Sequence, residues 1–259
     1  MHTLAGPLFV ASWSLFSASD SAHWFAAAVP FLNGLRLVLA GTGITSSEGS
    51  VRSMTRHGDR AELLRGPLYY VLALVVATLL FWRVSPISAC AVAAMCGGDG
   101  LADIVGRRSP PGSPRIPWNK DKTLRGSSAM FAASLAFAVA LVWLFTGFGY
   151  FAVVGGGGGA DAAAASVVAT AAAAASHSPS ASASASAASS SLYSALFASF
   201  SAERAAAFAL APPTLAALAA VAFAATAVES LPANAFVDDN VSVPAVAMAL
   251  GWWLFERSC

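Results

Sequence analysis

Seven apolar stretches, at 4–16, 24–40, 67–82, 86–96, 129–154, 206–228 and 241–255, run through the chain with Arg36 as the only charge inside them. A backbone in hydrocarbon must satisfy its own hydrogen bonds, and continuous apolar runs do so as helices. Several of the runs fall short of the roughly 20 residues a perpendicular span needs. The expected fold is therefore all-α, a polytopic transmembrane bundle of about six to seven helices. Composition agrees: 57% of residues are hydrophobic and 10% charged, against roughly 25% charged in globular domains. The formal net charge of +1 averages over loops on two sides of a bilayer and identifies no partner. Membrane lipid is the expected surrounding, and nucleic acid is not an expected partner. Cys90, Cys96 and Cys259 have no paired spacing, and the four histidines have no ligand spacing. Trp24, Trp82 and the Trp252–Trp253 pair read as an interfacial belt.

The charges that remain are concentrated. Sixteen of the 27 charged residues lie in 41–66 and 97–127. Two spans separate these loops, so both open on one side, and two more spans bring Glu229, Asp238 and Asp239 back to it. Their Lys/Arg excess marks the side that needs no translocation. Residues 155–201 differ in kind, with a Gly run, an Ala run and Ser-Ala alternation, and read as a low-complexity insert on the opposite face. It divides a membrane domain into an N-terminal part, 1–154, which carries the charged motifs, and a C-terminal part, 202–259. Met1 leads almost directly into apolar sequence, with no visible transit peptide.

The run Cys96-Gly-Gly-Asp-Gly-Leu-Ala-Asp-Ile-Val-Gly-Arg-Arg108 is the most chemically suggestive. Carboxylates at a membrane boundary are costly unless paired, solvated or metal-bound, which makes them functional candidates. Asp99, Asp103 and Arg107 follow i, i+4, i+8 and would share one helix face. Gly97 and Gly98 allow close backbone approach to a ligand. Two acids facing a polyphosphate suggest a divalent cation, with Asp99 and Asp103 as its ligands. The competing reading pairs these acids with Arg107 or Arg108 at a helix end.

A second polar run, 115–128, contains Asn119, Lys120 and Lys122 and ends in Gly126-Ser127-Ser128 at the start of an apolar stretch. Lys and Arg supply charge for phosphate oxygens. Backbone amides at 126–128 would open a helix whose dipole favours a phosphate. The alternative is a cationic loop that fixes topology and touches headgroups. Glu229 at the end of a span opposes the helix dipole and calls for a functional role or an Arg partner. Asp238 and Asp239 are also ordinary N-cap material for the last stretch.

Together these segments resemble the phytol and farnesol kinases, the polyprenol kinase family of plastid-bearing organisms. The Cys96–Arg108 run looks like that family's signature, and 62–71, 81–87, 116–122 with Gly126 and Ser127, 228–232 and 237–244 match it in order and approximate spacing. The resemblance covers nearly the whole chain outside the insert. It implies phosphoryl transfer from a nucleoside triphosphate, typically CTP, to an isoprenoid alcohol such as phytol, en route to tocopherol, in a chloroplast membrane. It also implies a nucleotide site over Gly97, Gly98, Arg107, Asn119, Lys120, Lys122, Gly126 and Ser127. Asp99 and Asp103 would hold Mg2+, with Asp239 or Glu229 as base for the alcohol. Farnesol, geranylgeraniol and dolichol-type alcohols are the alternative acceptors. A CTP-using cytidylyltransferase and a non-enzymatic transporter are the rival activities. Thr123 stands where the family has Ser, and Arg125 where it has a small residue. The resemblance further implies that the chain begins inside the family domain.

Overall fold

The computed structural model describes residues 2–17, 19, 21–45, 55, 59–150, 210–232 and 238–256. The insert at 155–201 and residues 46–54 and 56–58 of the first charged loop lie outside them. Helix α1 (His2–Ser12) runs into a 3-10 turn, Trp13–Leu15, and α2 is Ala22–Gly41. A short 3-10 segment, Arg60–Leu64, leads into α3, Gly66–Phe81. Helix α4 (Pro86–Val92), a π-helical turn (Ala93–Gly98) and α5 (Asp99–Arg107) follow without a break. A two-stranded antiparallel hairpin, β1 (Arg115–Ile116) and β2 (Asn119–Thr123), precedes α6 (Leu124–Gly147). Helices α7 (Pro212–Ser230) and α8 (Asp239–Phe255) close the described chain.

Among the described residues, five segments are long and apolar enough to cross a membrane: Ala22–Gly41, Arg60–Phe81, Pro86–Arg107, Leu124–Gly147 and Pro212–Ser230. Each of the seven apolar stretches has a helical counterpart, so the all-α reading holds apart from the small hairpin. Local chemistry sets several starts. Pro67, Pro86 and the Pro212–Pro213 pair occupy first-turn positions, where proline's missing N–H costs nothing. Thr123 and Asp238 cap α6 and α8 through side-chain oxygens that accept the backbone N–H of Gly126 at 3.1 Å and of Asn240 at 2.9 Å.

The third of these segments, Pro86–Arg107, is the centre of the bundle. Every residue from Pro86 to Gly98 is buried, and the run is dominated by Ala, Ser, Cys and Gly, which let helices approach closely. A Cβ on Gly97 would lie 2.3 Å from the Phe137 ring, and one on Gly98 would lie 2.1 Å from Ser134 Oγ, both on α6. Helix α1 crosses on another side, with Gly6 against Cys96 and Gly100 against Thr3. Cys90 and Cys96 are free thiols in this core.

Three expectations change here. The apolar stretch 86–96 is the first half of a 22-residue segment that continues to Arg107. Hydropathy stops at Cys96 because the final turns carry charge. Residues 97–127 are therefore a helix end followed by a hairpin rather than an open loop. Trp82 differs from the other three tryptophans of the expected belt: it is half-buried with its ring 4.8 Å from that of Trp13, while Trp24, Trp252 and Trp253 are exposed.

Arg83, beside Trp82, fastens the end of the bundle where α3 turns into α4. Its guanidinium donates to the carbonyls of Trp13 at 2.8 Å and Phe16 at 2.9 Å and to that of Ser17, and lies 4.2 Å from the centre of the Tyr150 ring. A delocalised cation with a fork of donors suits a site of backbone oxygens and aromatic faces.

Candidate functional site

At the other end of the bundle the hairpin is fastened to three consecutive residues of α7 and its exit. Trp118 Nε1 donates to the Ser230 carbonyl at 3.1 Å, Asn119 Nδ2 donates to the Leu231 carbonyl at 3.0 Å, and Lys122 Nζ donates to Glu229 Oε1. Asn119 is buried, and its Oδ1 also accepts the N–H of Asp121 at 3.1 Å. Arg115 braces the strand from the other side by donating to the Lys120 carbonyl at 2.7 Å. Residues more than a hundred positions apart thus meet at one end, as the count of spans predicts.

Lys122 is the hub of the charge here. Besides Glu229, its ammonium lies 3.6 Å from Asp239 Oδ2, and Asp99 is near enough to act on it electrostatically. Burial alone would lower the Lys122 pKa. The hydrogen bond and charge of Glu229, with Asp239 and Asp99 adding, outweigh burial and hold the ammonium above its ordinary value. The two carboxylates differ in access: the Glu229 side chain is 5% exposed and that of Asp239 is 41% exposed. Asp238 is committed to its cap and accepts from Asn240 Nδ2 at 2.8 Å. Asn240 in turn lies beside Gly66 at the start of α3.

Asp99 and Asp103 lie one turn apart on α5, as their spacing predicts. Their surroundings differ. Asp99 joins the Lys122 group, whereas Asp103 Oδ1 accepts from Arg107 Nε at 2.6 Å in an exposed i, i+4 pair. Lys120 and Arg125 are exposed. The close approach permitted at Gly97 and Gly98 is made by helix α6, whose side chains fill the space beside them. Helix α6 opens at Leu124, two residues before Gly126, and the Gly126 N–H is taken by Thr123 Oγ1. Ser127 lies half-buried within its first turn.

Comparison with known proteins gives the chain a family. The chain is 39% identical over 258 residues to Probable phytol kinase, chloroplastic, of Triticum aestivum, covering 100% of this chain and 67% of the relative. It is 38% identical over 257 residues to Probable phytol kinase 1, chloroplastic, of Glycine max, covering 99% of this chain and 66% of the relative. The chain belongs to the phytol and farnesol kinase family. Within that family it is also 44% identical over 156 residues to Farnesol kinase, chloroplastic, of Arabidopsis thaliana, covering 60% of this chain and 50% of the relative. The chain spans about two thirds of the length of the curated relatives that match it end to end. No protein-family model matches it, and no solved structure does.

The departures from the family pattern acquire a place in the structure. Thr123 in the Ser position still supplies the hydroxyl that caps α6. Arg125 points its bulk into exposed space on the first turn of α6, where no packing opposes a long side chain. Two features of the site had no sequence signal: the role of Asn119 as a buried tie, and that of Trp118 as an exposed ring held at one edge. Both depend on carbonyls at the end of α7 and just past it, 112 residues away.

Proposed function

We propose that the chain transfers the terminal phosphoryl group of a nucleoside triphosphate, with CTP as donor, to the hydroxyl of an isoprenoid alcohol, with phytol as first acceptor. The reaction takes place at a chloroplast membrane, and its product feeds tocopherol biosynthesis. The names of the relatives support the reaction class, and the Lys122 cluster is the observation that carries it. Phosphoryl transfer is mainly positioning and charge neutralisation. An ammonium kept charged at the polar end of a bundle, with carboxylates of unequal exposure around it, suits that task.

In this reading the alcohol oxygen attacks the γ-phosphorus, the bond to the β-phosphate oxygen breaks, and CDP leaves. Lys122 takes the negative charge of the phosphates, with Lys120 beside it. Asp239 is the better placed of the two candidate bases, because Glu229 is buried and holds Lys122. Glu229 is then a positioning residue. Mg2+ is typically bound by one or two carboxylates together with substrate phosphates, and Asp99 with Asp103 on one helix face fits that donor set. Among the described residues no three His, Cys, Asp or Glu side chains gather into an all-protein cage. The bound cation would supply charge neutralisation on the donor phosphates. A lipid alcohol explains the membrane setting: its tail lies among apolar helices while its hydroxyl reaches the charged end.

The deciding experiment incubates membranes carrying the full chain with phytol, farnesol and geranylgeraniol and each γ-labelled nucleoside triphosphate. Labelled phytyl phosphate with CDP as co-product is the expected result. Pyrophosphate release would instead support a cytidylyltransferase, and no labelled lipid from correctly inserted protein would sink the kinase reading.

Glu229→Gln gives a pH-dependent test. A Lys whose folded pKa is raised contributes pairing stability below its unfolded pKa of about 10.4 and loses it as pH rises through the folded value. Removing the Glu229 charge leaves burial less opposed, so Lys122 loses its proton at lower pH. The alkaline limb of kcat/KM is expected to move to lower pH in this variant, with the acid limb unmoved. An unshifted alkaline limb would remove Lys122 as the titrating cation.

A further inference from the structure

Trp118 is an exposed aromatic ring at the charged end of the bundle, with 61% of its surface open, yet it is not loose. Its indole N–H is spent on the Ser230 carbonyl at 3.1 Å, and the next residue, Asn119, is buried and tied to Leu231. The ring is thus held by its polar edge with apolar surface left uncovered by the protein. Glu229, which holds Lys122, directly precedes Ser230. Ring and ammonium therefore hang from adjacent residues of one rigid helix end, and four residues of strand place their Cα atoms at most about 14 Å apart. That separation suits the base and the terminal phosphates of a single extended nucleoside triphosphate.

We infer that Trp118 is the platform on which the base of the donor nucleotide stacks. The inference rests on the kinase reading above and adds a residue for the base to residues for the phosphates. Stacking on an indole face is tolerant of base identity, because every base offers a π-face. An interfacial belt residue would instead keep its N–H for headgroups and water, and here the N–H is committed to the protein.

The test compares Trp118→Ala with Trp118→Phe in full-chain protein reconstituted in liposomes. Alanine is expected to raise the KM for nucleotide roughly ten- to a hundred-fold, with the KM for phytol and kcat at saturating nucleotide changed less than about two-fold. Phenylalanine, which keeps a ring but not the N–H, retains most of the affinity. Inorganic triphosphate, which has no base, should inhibit wild type and Trp118→Ala equally. Binding is read without turnover as the nucleotide-induced quench of tryptophan fluorescence that wild type shows and Trp118→Phe lacks. Equal losses in the two variants would assign Trp118 to anchoring the hairpin and overturn the inference. So would quenching of Trp118 by brominated lipid in place of nucleotide. Wild type that binds and quenches with nucleotide but phosphorylates no alcohol would sink the kinase reading alone. An active wild type whose alanine variant keeps its nucleotide KM would sink only the stacking.

Discussion

Lys122→Met is expected to lower kinase turnover by at least about 10²-fold, the scale of losing one preorganised donor to developing charge. The same change strands Glu229, which is 5% exposed, as an uncompensated carboxylate. Removing one partner of a buried pair costs about 3–5 kcal/mol, and on the order of 2 kcal/mol is expected here because Lys122 keeps about a third of its exposure. Activity and stability would thus fall together, which leaves the cause ambiguous in the single variant. The double variant Lys122→Met/Glu229→Leu separates them. With both charges removed, thermal stability in detergent should return close to that of wild type, while turnover stays low. A stable double variant with normal turnover would show that Lys122 serves the fold and not the reaction.

The second large effect is expected at the acidic pair on α5. Asp99→Asn and Asp103→Asn should each lower turnover by about 10²- to 10³-fold, and excess Mg2+ should recover part of the loss. Asp121→Asn is the control: it removes an exposed carboxylate from the hairpin between the two site cations and should leave turnover within about two-fold. The environments of the pair predict a difference in degree. Asp99 already acts on Lys122, whereas Asp103 must share its carboxylate with Arg107. Asp99→Asn should therefore be the more severe. An Asp103→Asn protein with wild-type turnover and Mg2+ dependence would remove Asp103 from the cation site and leave it a helix-end ion pair.

Much of this architecture is legible in the residues because the bilayer simplifies the problem. Apolar runs cannot be anything but buried in lipid or protein, so seven of them foretell a helical bundle, and counting spans places 97–127 and 229–240 on one side. The i, i+4 spacing of Asp99 and Asp103 foretells a shared face because a helix turns every 3.6 residues. Glu229 at the negative end of a helix dipole foretells a functional role or an Arg partner, and the cation that the fold supplies is Lys122 instead.

What hydropathy could not see is where the segment that starts at Pro86 ends. It counts transfer energy, and the last turns of Pro86–Arg107 are polar because they form the site. Sequence likewise left Gly97 and Gly98 open to a ligand. A glycine permits close approach without saying what approaches, and the fold supplies Phe137 and Ser134 of α6. The choice between Glu229 and Asp239 as base is of the same kind. As sequence they are two acids at a membrane boundary, and only the docking of the hairpin buries one against Lys122 and leaves the other open. The chain by itself determined the class of fold, the side on which its charge gathers and the inventory of groups at that end. Tertiary structure alone decided which of those groups touch, because pairings across a hundred residues depend on helix packing and on carbonyls that every residue carries.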